Sequence, residues 1–314
     1  MTPARAENWT GLWSPAKVNL FLELHGRRSD GYHDLETVMV AINVFDHLAA
    51  HATADRQIKF HCRWISGMQP MLSRSTLGDL PTGERNIAYR ALELLQERAK
   101  VSQGICLCLT KRIPSQAGLG GASADAAHAL LLANQAWGID WHRQQLAELA
   151  AELGSDVPFF LHAAAAICRG RGEQVERLNF RVRPIPLVIA KPPQGLATPA
   201  VFSRAEVPAE PRSCTGLVAA LERGDLRLLG RSLFNRLQSA AASLSPWIQH
   251  LQSLFDRYPV LGHAMSGSGS SYFAICRSMR HANHLAHLIR SRGLPWSLAV
   301  STLPTSTASS PVCL

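Results

Sequence analysis

Pro114-Ser-Gln-Ala-Gly-Leu-Gly-Gly-Ala-Ser-Ala-Asp-Ala-Ala127 is the stretch whose reading decides the fold. Just upstream, Ile105, Leu107 and Leu109 alternate with Cys106, Cys108 and Thr110, the period of a strand with one buried face. Downstream, residues 124–137 read as a helix closed by Gly138. The order is strand, glycine-rich turn, helix N-terminus. Gly118, Gly120 and Gly121 let the backbone take positive φ and approach a ligand, and the first N–H groups of the following helix have no partner of their own. Such a loop can hold an anion, most simply a phosphate. Glycines in a strand-to-helix turn also serve purely steric ends. The loop is no Walker A, since no Gly-Lys-Ser/Thr follows, and it lacks the offsets of the dinucleotide fingerprint.

Working outward, residues 140–154 predict a helix with Asp140 as its cap, Leu146, Leu149, Ala150 and Leu153 as its apolar stripe and Gly154 at its end. Asp156 follows at once and precedes Pro158, Phe159 and Phe160. It is either a carboxylate held near apolar walls or the cap of the next helix, with Pro158 in its first turn. Residues 163–168 read as a strand entering the turn 169–172. On the N-terminal side, residues 86–99 show helical spacing, and residues 67–82 read as an irregular surface excursion.

Farther out, Val18, Leu20, Leu22 and Leu24 alternate with Lys17, Asn19, Phe21 and Glu23, which predicts a strand from Ser14 with Lys17 and Asn19 on its open face. A lysine there can simply be solvated. Asp30-Gly31 marks a turn and residues 36–44 a returning strand, so a hairpin carries Tyr32 and His33 at its connection, placed for ligand contact or, for His33, satisfied by backbone. Residues 1–13 read as a polar lead-in, and from residue 46 the pattern weakens.

The second half begins where Arg181, Arg183, Pro184 and Pro186 cluster ahead of the strand Leu187-Val-Ile-Ala190. It holds a polar helical region over 217–237, an amphipathic one over 246–258 and a second glycine-rich turn, Ser266-Gly-Ser-Gly269, running into a strand. His281, His284 and His287 recur every third residue without a carboxylate or thiol to complete a metal set. There is no internal repeat.

The 314 residues are 46% hydrophobic, enough for two cores. Lys and Arg number 32 against 23 Asp and Glu, a net charge of +9 that favours acidic partners such as polyphosphates. The basic residues are scattered rather than interleaved with aromatics in a dense run, which argues against nucleic acid. Seven cysteines without Cys-x-x-Cys suggest a reduced, cytoplasmic protein. No apolar run reaches the ~18 residues of a membrane span. Cys313 is next to last and so is no prenylation site.

The loop pattern Pro-x-x-x-Gly-Leu-Gly-Gly-x-Ser-x-x-Ala resembles the phosphate loop of the galactokinase, homoserine kinase, mevalonate kinase and phosphomevalonate kinase (GHMP) superfamily. Together with Ser14-Pro-Ala-Lys-Val-Asn19, Asp30-Gly-Tyr-His33, Leu153-Gly-Ser-Asp-Val-Pro158 and Ser266-Gly-Ser-Gly269, the chain is similar, over roughly residues 14–275, to the members that phosphorylate the 2-hydroxyl of 4-diphosphocytidyl-2-C-methyl-D-erythritol for non-mevalonate isoprenoid synthesis. The resemblance implies an α/β (α+β type) two-domain GHMP kinase fold: an N-terminal domain over 1–183 like the second domain of a ribosomal small-subunit protein, a ferredoxin-like domain over 184–300, and a flexible tail over 301–314. It further implies a cleft site with Asp156 as catalytic base and Lys17 as its partner. Asn19, Tyr32, His33 and Phe202 are expected on the cytidine substrate, and Pro114, Ser115, Gln116, Ala117, Gly118, Leu119, Gly120, Gly121, Ala122, Ser123 and Ala124 around ATP. Mg2+ is expected with ATP, its protein ligands unknown beyond Ser123 as a candidate, and the assembly is a monomer or homodimer. Other GHMP kinases of the homoserine or mevalonate type, a silent ATP-binding sensor, or a nucleic-acid-binding protein that keeps the fold are the alternatives. Two departures stand out: Ala122 replaces a frequent loop glycine, and Asn235-Arg-Leu-Gln238 lacks the acidic residues often found after that Asn.

Overall fold

Aliphatic residues recur through residues 10–53 and build one long antiparallel hairpin. The structure, a computed structural model, describes residues 8–68 and 72–305. β1 (Thr10–Arg27) and β2 (His33–Thr53) pair from Thr10↔Ala50 to Arg27↔His33. The hairpin is longer than its pattern suggested: it takes in residues 10–13 of the expected lead-in and runs through residues 46–53. Alternation fades in β2 because residues 37–42 are buried on both faces, and a strand covered on both sides has no polar phase.

The single expected row of Val18, Leu20, Leu22 and Leu24 is also broken. The pairing register shifts between Asn19 and Phe21, so Val18 and Leu20 join one core cluster while Leu22 and Leu24 join another. An extra residue in one strand turns the side chains that follow to the other face.

After β3 (Ile58–Trp64) comes the excursion, which includes the one-turn helix α1 (Arg74–Leu77); Pro70 lies outside the described residues. α2 (Ile87–Arg98) is capped by the Asn86 side chain, which accepts from Ala88 N, and buries Ala88, Ala91, Leu92 and Leu95. β4 (Gly104–Lys111), α3 (Gly121–Ala136), α4 (Arg143–Leu153), α5 (Val157–His162), β5 (Ala165–Arg169) and β6 (Gln174–Arg177) complete the first half. Asp140 is not the cap of α4. It takes φ +57° in the turn after Gly138, and His142 holds the cap position, its N–H donating to Gln145 Oε1 at 3.0 Å.

The second half runs β7 (Pro186–Lys191), α6 (Thr198–Phe202), α7 (Thr215–Arg223), α8 (Leu226–Ser232), β8 (Phe234–Asn235), α9 (Leu237–Leu244), α10 (Pro246–Asp256), β9 (Gly262–Met265), β10 (Tyr272–Ile275), α11 (Met279–Ser291) and β11 (Trp296–Ser301). The helical region expected over 217–237 is interrupted by Gly224 at φ +67° and by β8.

The first sheet has the order β3-β4-β2-β1-β8, with β5 on β2 and β6 on β5; the second is β11-β7-β10-β9, wholly antiparallel. One core lies between the helices α2 to α5 and the first sheet. A second contains Val18, Val38 and Val40 of the first sheet with Leu187, Ile189 and Phe273 of the second, and a third lies between the second sheet and α9, α10 and α11. The layers are therefore helix, sheet, sheet, helix. β8 crosses back to pair with β1 in parallel, which ties the second half to the first.

Residues 301–305, expected in the tail, are held against the fold. Leu303 N donates to Ala41 O at 2.8 Å, and Thr305 Oγ1 accepts from Val182 N at 2.7 Å. Residues 306–314 lie outside those described.

Candidate active site

β1 lies between β2 and the short β8 and is covered on both sides. Lys17 and Asn19 are accordingly buried, 3% and 2% exposed, rather than on an open face. Burial of an ammonium is costly unless its protons find acceptors. Lys17 Nζ donates to Asn19 Oδ1 at 2.6 Å and stands 3.3 Å from Asp156 Oδ2. Asn19 Nδ2 in turn donates to Thr37 Oγ1 at 2.8 Å, and Thr37 to Phe21 O at 2.6 Å. The chain of bonds fixes which end of the Asn19 amide faces the lysine: Oδ1 toward Lys17 and Nδ2 toward Thr37.

Asp156 occupies the residue before α5, but its side chain makes no capping bond. The carboxylate, 34% exposed, reaches instead to Lys17 and keeps an open side toward the cleft. The helix-cap alternative for Asp156 is thus not what this geometry shows.

The loop between β4 and α3 lies over this pair. Gly118 and Gly120 have φ of +71° and +70°, and Gly120 is the N-cap of α3 with no side chain to satisfy the first N–H groups. Gly121 differs from the expectation: it is the first helical residue, and it must be glycine-sized because a Cβ there would meet Ile113 Cγ2 at 2.8 Å. A Cβ on Gly120 would meet Lys17 Cγ at 2.8 Å, so the loop rests directly on the lysine stem. Lys17 N donates to Leu119 O at 2.9 Å. Ser115 Oγ donates to Asp79 O, Ala117 O accepts from Ser271 N, and Gly118 O accepts from Ser266 Oγ at 2.9 Å. Pro114, Ala117, Leu119 and Ala124 face inward, whereas Gln116, at φ +50°, and Ala122 are exposed and Ser123 is half-buried on the first turn of α3. The unpartnered N–H groups at the start of a 16-residue helix form an anion-binding end.

At the other end of the hairpin, His33 is buried, 6% exposed, and its ring lies 5.6 Å from that of Phe202. Burial, then Arg27, lowers its pKa, so the imidazole is neutral and offers one donor and one acceptor. Tyr32 is exposed as expected, with the Arg171 guanidinium 5.0 Å from its ring centroid. The structure thus brings His33 and Phe202 together and sets Tyr32 beside Arg171.

Several residues escaped the sequence reading. Asn235, whose neighbourhood looked atypical, donates from Nδ2 to Met265 O and Gly267 O, both at 2.8 Å, and so pins the Ser266 turn against the phosphate loop. Thr198 and Ser268 share a hydrogen bond at 2.8 Å across the cleft side of the second domain. Lys111, at the end of β4, is buried with Asp46 and with Asp125, 2.6 Å away, beneath the first turn of α3. Burial first, then Asp46, pushes the Asp125 carboxyl up to about 8 against the pull of Lys111. Only the Asp125 position within the loop motif could have hinted at this. Among the described residues no group of three His, Cys, Asp or Glu side chains could hold a metal, so His281, His284 and His287 form no such site. No helix among them is long and apolar enough to cross a membrane.

Known proteins match this arrangement. The model of the GHMP kinases N terminal domain matches residues 86–164 and that of the GHMP kinases C terminal region residues 217–293. The chain is 37% identical over 273 residues to a 4-diphosphocytidyl-2-C-methyl-D-erythritol kinase of Pelotomaculum thermopropionicum, covering 86% of this chain and 90% of that protein. It is 34% identical over 278 residues to the kinase of the same name from Shouchella clausii, covering 88% and 89%. A crystal structure of 4-(cytidine 5'-diphospho)-2C-methyl-D-erythritol kinase superposes with a TM-score of 0.74 at 30% identity over 93% of this chain and 99% of that one. A homoserine kinase from Cytophaga hutchinsonii shares the fold at a TM-score of 0.71 and 21% identity, covering 98% of each chain. By fold, motif placement and identity, the chain belongs to the 4-diphosphocytidyl-2-C-methyl-D-erythritol kinase family of the GHMP kinases.

Proposed function

We propose that this ATP-dependent small-molecule kinase transfers the γ-phosphoryl group of ATP to the 2-hydroxyl of 4-diphosphocytidyl-2-C-methyl-D-erythritol. The observation that carries the reading is the Lys17–Asp156 pair directly under a glycine loop and helix N-terminus, with an aromatic and imidazole contact at the far end of the same hairpin. The loop and the first turn of α3 hold the ATP phosphates. His33 and Phe202 hold the cytosine, with Tyr32 closing on it, and Asn19 orients the acceptor end. These positions suit a molecule that has a base at one end and a hydroxyl at the other.

In the transfer, the acceptor oxygen attacks the γ-phosphorus, the bond to the β-phosphate oxygen breaks, and the hydroxyl proton passes to Asp156. ADP leaves. Phosphoryl transfer asks the protein mainly for alignment and charge stabilisation, and positioning can supply on the order of 7–11 kcal/mol. Lys17 keeps the carboxylate aimed, and Asn19 keeps Lys17 aimed. Mg2+ travels with ATP phosphates and needs few protein ligands; the Ser123 hydroxyl at the helix start fits that role, and the ion would neutralise phosphate charge there.

The test is ADP release by the purified protein with this acceptor beside homoserine and mevalonate. Turnover with the cytidine substrate alone is expected. Turnover with homoserine or mevalonate instead, or with none of the three, overturns the reading.

A further inference from the structure

A cavity of about 120 Å3 opens on the first sheet where β4 and β5 part company along β2. Its lining shares no residue with the phosphate loop, Lys17, Asp156 or the His33–Phe202 contact. Among the described residues, the ionisable groups that line it are Arg143, Arg177, His128 and His162, with no Asp or Glu. Arg143 donates to Leu161 O at 2.6 Å, which leaves its other N–H groups for the cavity. Among the described residues neither guanidinium forms an ion pair.

His128 Nδ1 donates to Ala124 O at 2.8 Å, so a neutral ring leaves Nε2 without its proton. Burial, with a contribution from Arg143, holds the His128 pKa down to about 4; burial, then Arg143 and Arg177, lowers that of His162. The positive charge at this opening is therefore that of the two guanidiniums, which among the described residues meet no counter-charge there, a setting that concentrates anions. The forked donors of arginine match phosphate oxygens. Trp13, 51% exposed, and Leu303 supply an apolar rim. Phe160 is the wall nearest the active site: its Cζ lies 3.0 Å from where a Cβ on Gly120 would be.

We propose that this cavity is a second anion site, distinct from the nucleotide cleft, that takes a small phosphate monoester with a flat apolar body, the phosphate on Arg143 and Arg177 and the body against Trp13. Phosphate chemistry is favoured over carboxylate because two guanidinium forks offer more donors than one carboxylate can accept.

Phenyl phosphate and inorganic phosphate are the probes. Each is titrated by calorimetry into the full chain already saturated with a non-hydrolysable ATP analogue, so that the cleft is filled. Phenyl phosphate is expected to bind. Arg177→Gln should weaken it about tenfold, the effect of one lost charge-assisted contact, with no change in affinity for the ATP analogue. Trp13→Ala should weaken phenyl phosphate and leave inorganic phosphate unchanged. Arg177 is exposed on β6, so its substitution leaves the fold intact even where Arg143→Gln, which frees the Leu161 carbonyl, does not. Absence of phenyl phosphate binding to the filled protein, or binding that survives both Arg177→Gln and Trp13→Ala, overturns the proposal.

Discussion

Lys17 Nζ and Asp156 Oδ2 stand 3.3 Å apart although one residue belongs to β1 and the other, far along the chain, precedes α5. The lysine is enclosed and the carboxylate is open on one side, so the pair is asymmetric: it presents an acceptor to the cleft and hides the cation that holds it. Asp156→Asn keeps the shape and removes the base. It should lower kcat by roughly 10²–10⁴, with ATP affinity little changed. Lys17→Met should also lower kcat, and the double variant should fall short of the product of the two losses because the groups act as a unit. Melting temperatures separate this from a structural role. Asp156→Asn leaves an enclosed ammonium with Asn19 as its remaining neutral partner and should melt somewhat lower, whereas Lys17→Met removes the charge and should melt no lower. Near-normal turnover in Asp156→Asn would remove the aspartate from the chemistry.

Gly120 is the second test. Its φ of +70° disfavours any side chain, and the Cβ of Gly120→Val would drive against the Lys17 stem and Phe160 Cζ, at 2.8 and 3.0 Å. The loop must shift, carrying the first N–H groups of α3 with it. KM for ATP should rise at least about tenfold, the counterpart of ~1.4 kcal/mol of lost phosphate binding. A variant that folds and binds ATP like the parent would show that the phosphates lie elsewhere.

His33 and Phe202 should govern the acceptor and not the nucleotide. Aromatic contact gives affinity, and hydrogen bonds to a base edge give discrimination. His33→Ala is expected to raise KM for the cytidine substrate far more than KM for ATP in steady-state assays. Equal effects on the two substrates would place His33 outside the acceptor site.

Asn235 holds the Ser266 turn through two donated bonds, and its Oδ1 accepts from Leu237 N at 2.9 Å. Asn235→Ala should cost on the order of 2–3 kcal/mol of stability, about 1 kcal/mol per buried bond, and should raise KM for ATP because the turn braces Gly118. Asn235→Asp should not rescue either property, since a carboxylate accepts but cannot donate to two carbonyls. Denaturant melts of the two variants decide the matter.

His128 gives a pH signature. Folded, it stays neutral down to about pH 4, while in the unfolded chain it titrates near the ordinary value of 6.5. Between these values the unfolded chain binds a proton that the folded one refuses, so this group destabilises the fold as pH falls through that window, by up to about 3 kcal/mol, and has no effect above it. His128→Asn, which can still donate to Ala124 O, should flatten the fall in melting temperature between roughly pH 6.5 and pH 4 relative to the parent. An unchanged difference across that range would mean that the ring is not buried neutral.

How much of this was written in the chain differs from element to element. The strand, glycine turn and helix around residues 105–136 were legible because each is specified by near neighbours: alternation in β4, the freedom of Gly118 and Gly120, and an alanine-rich run after them. α2 was legible for the same reason, although its Asn86 cap came only with the structure. The motif positions of Lys17, Asp156 and His33 were visible as well, but not their surroundings. Whether Lys17 faced water or a closed interior depended on the second sheet and on the β4–α3 loop, which come from distant parts of the chain and cover both faces of β1. The bulge after Asn19, the burial of His33 under Phe202, and the hold of Asn235 on the Ser266 turn depended on the same long-range packing. Local sequence by itself determined the loop, the helix that follows it and the kinds of group available for catalysis. Only the tertiary structure decided which of those groups meet, because burial and pairing are properties of segments brought together across a hundred residues or more, and no local period encodes them.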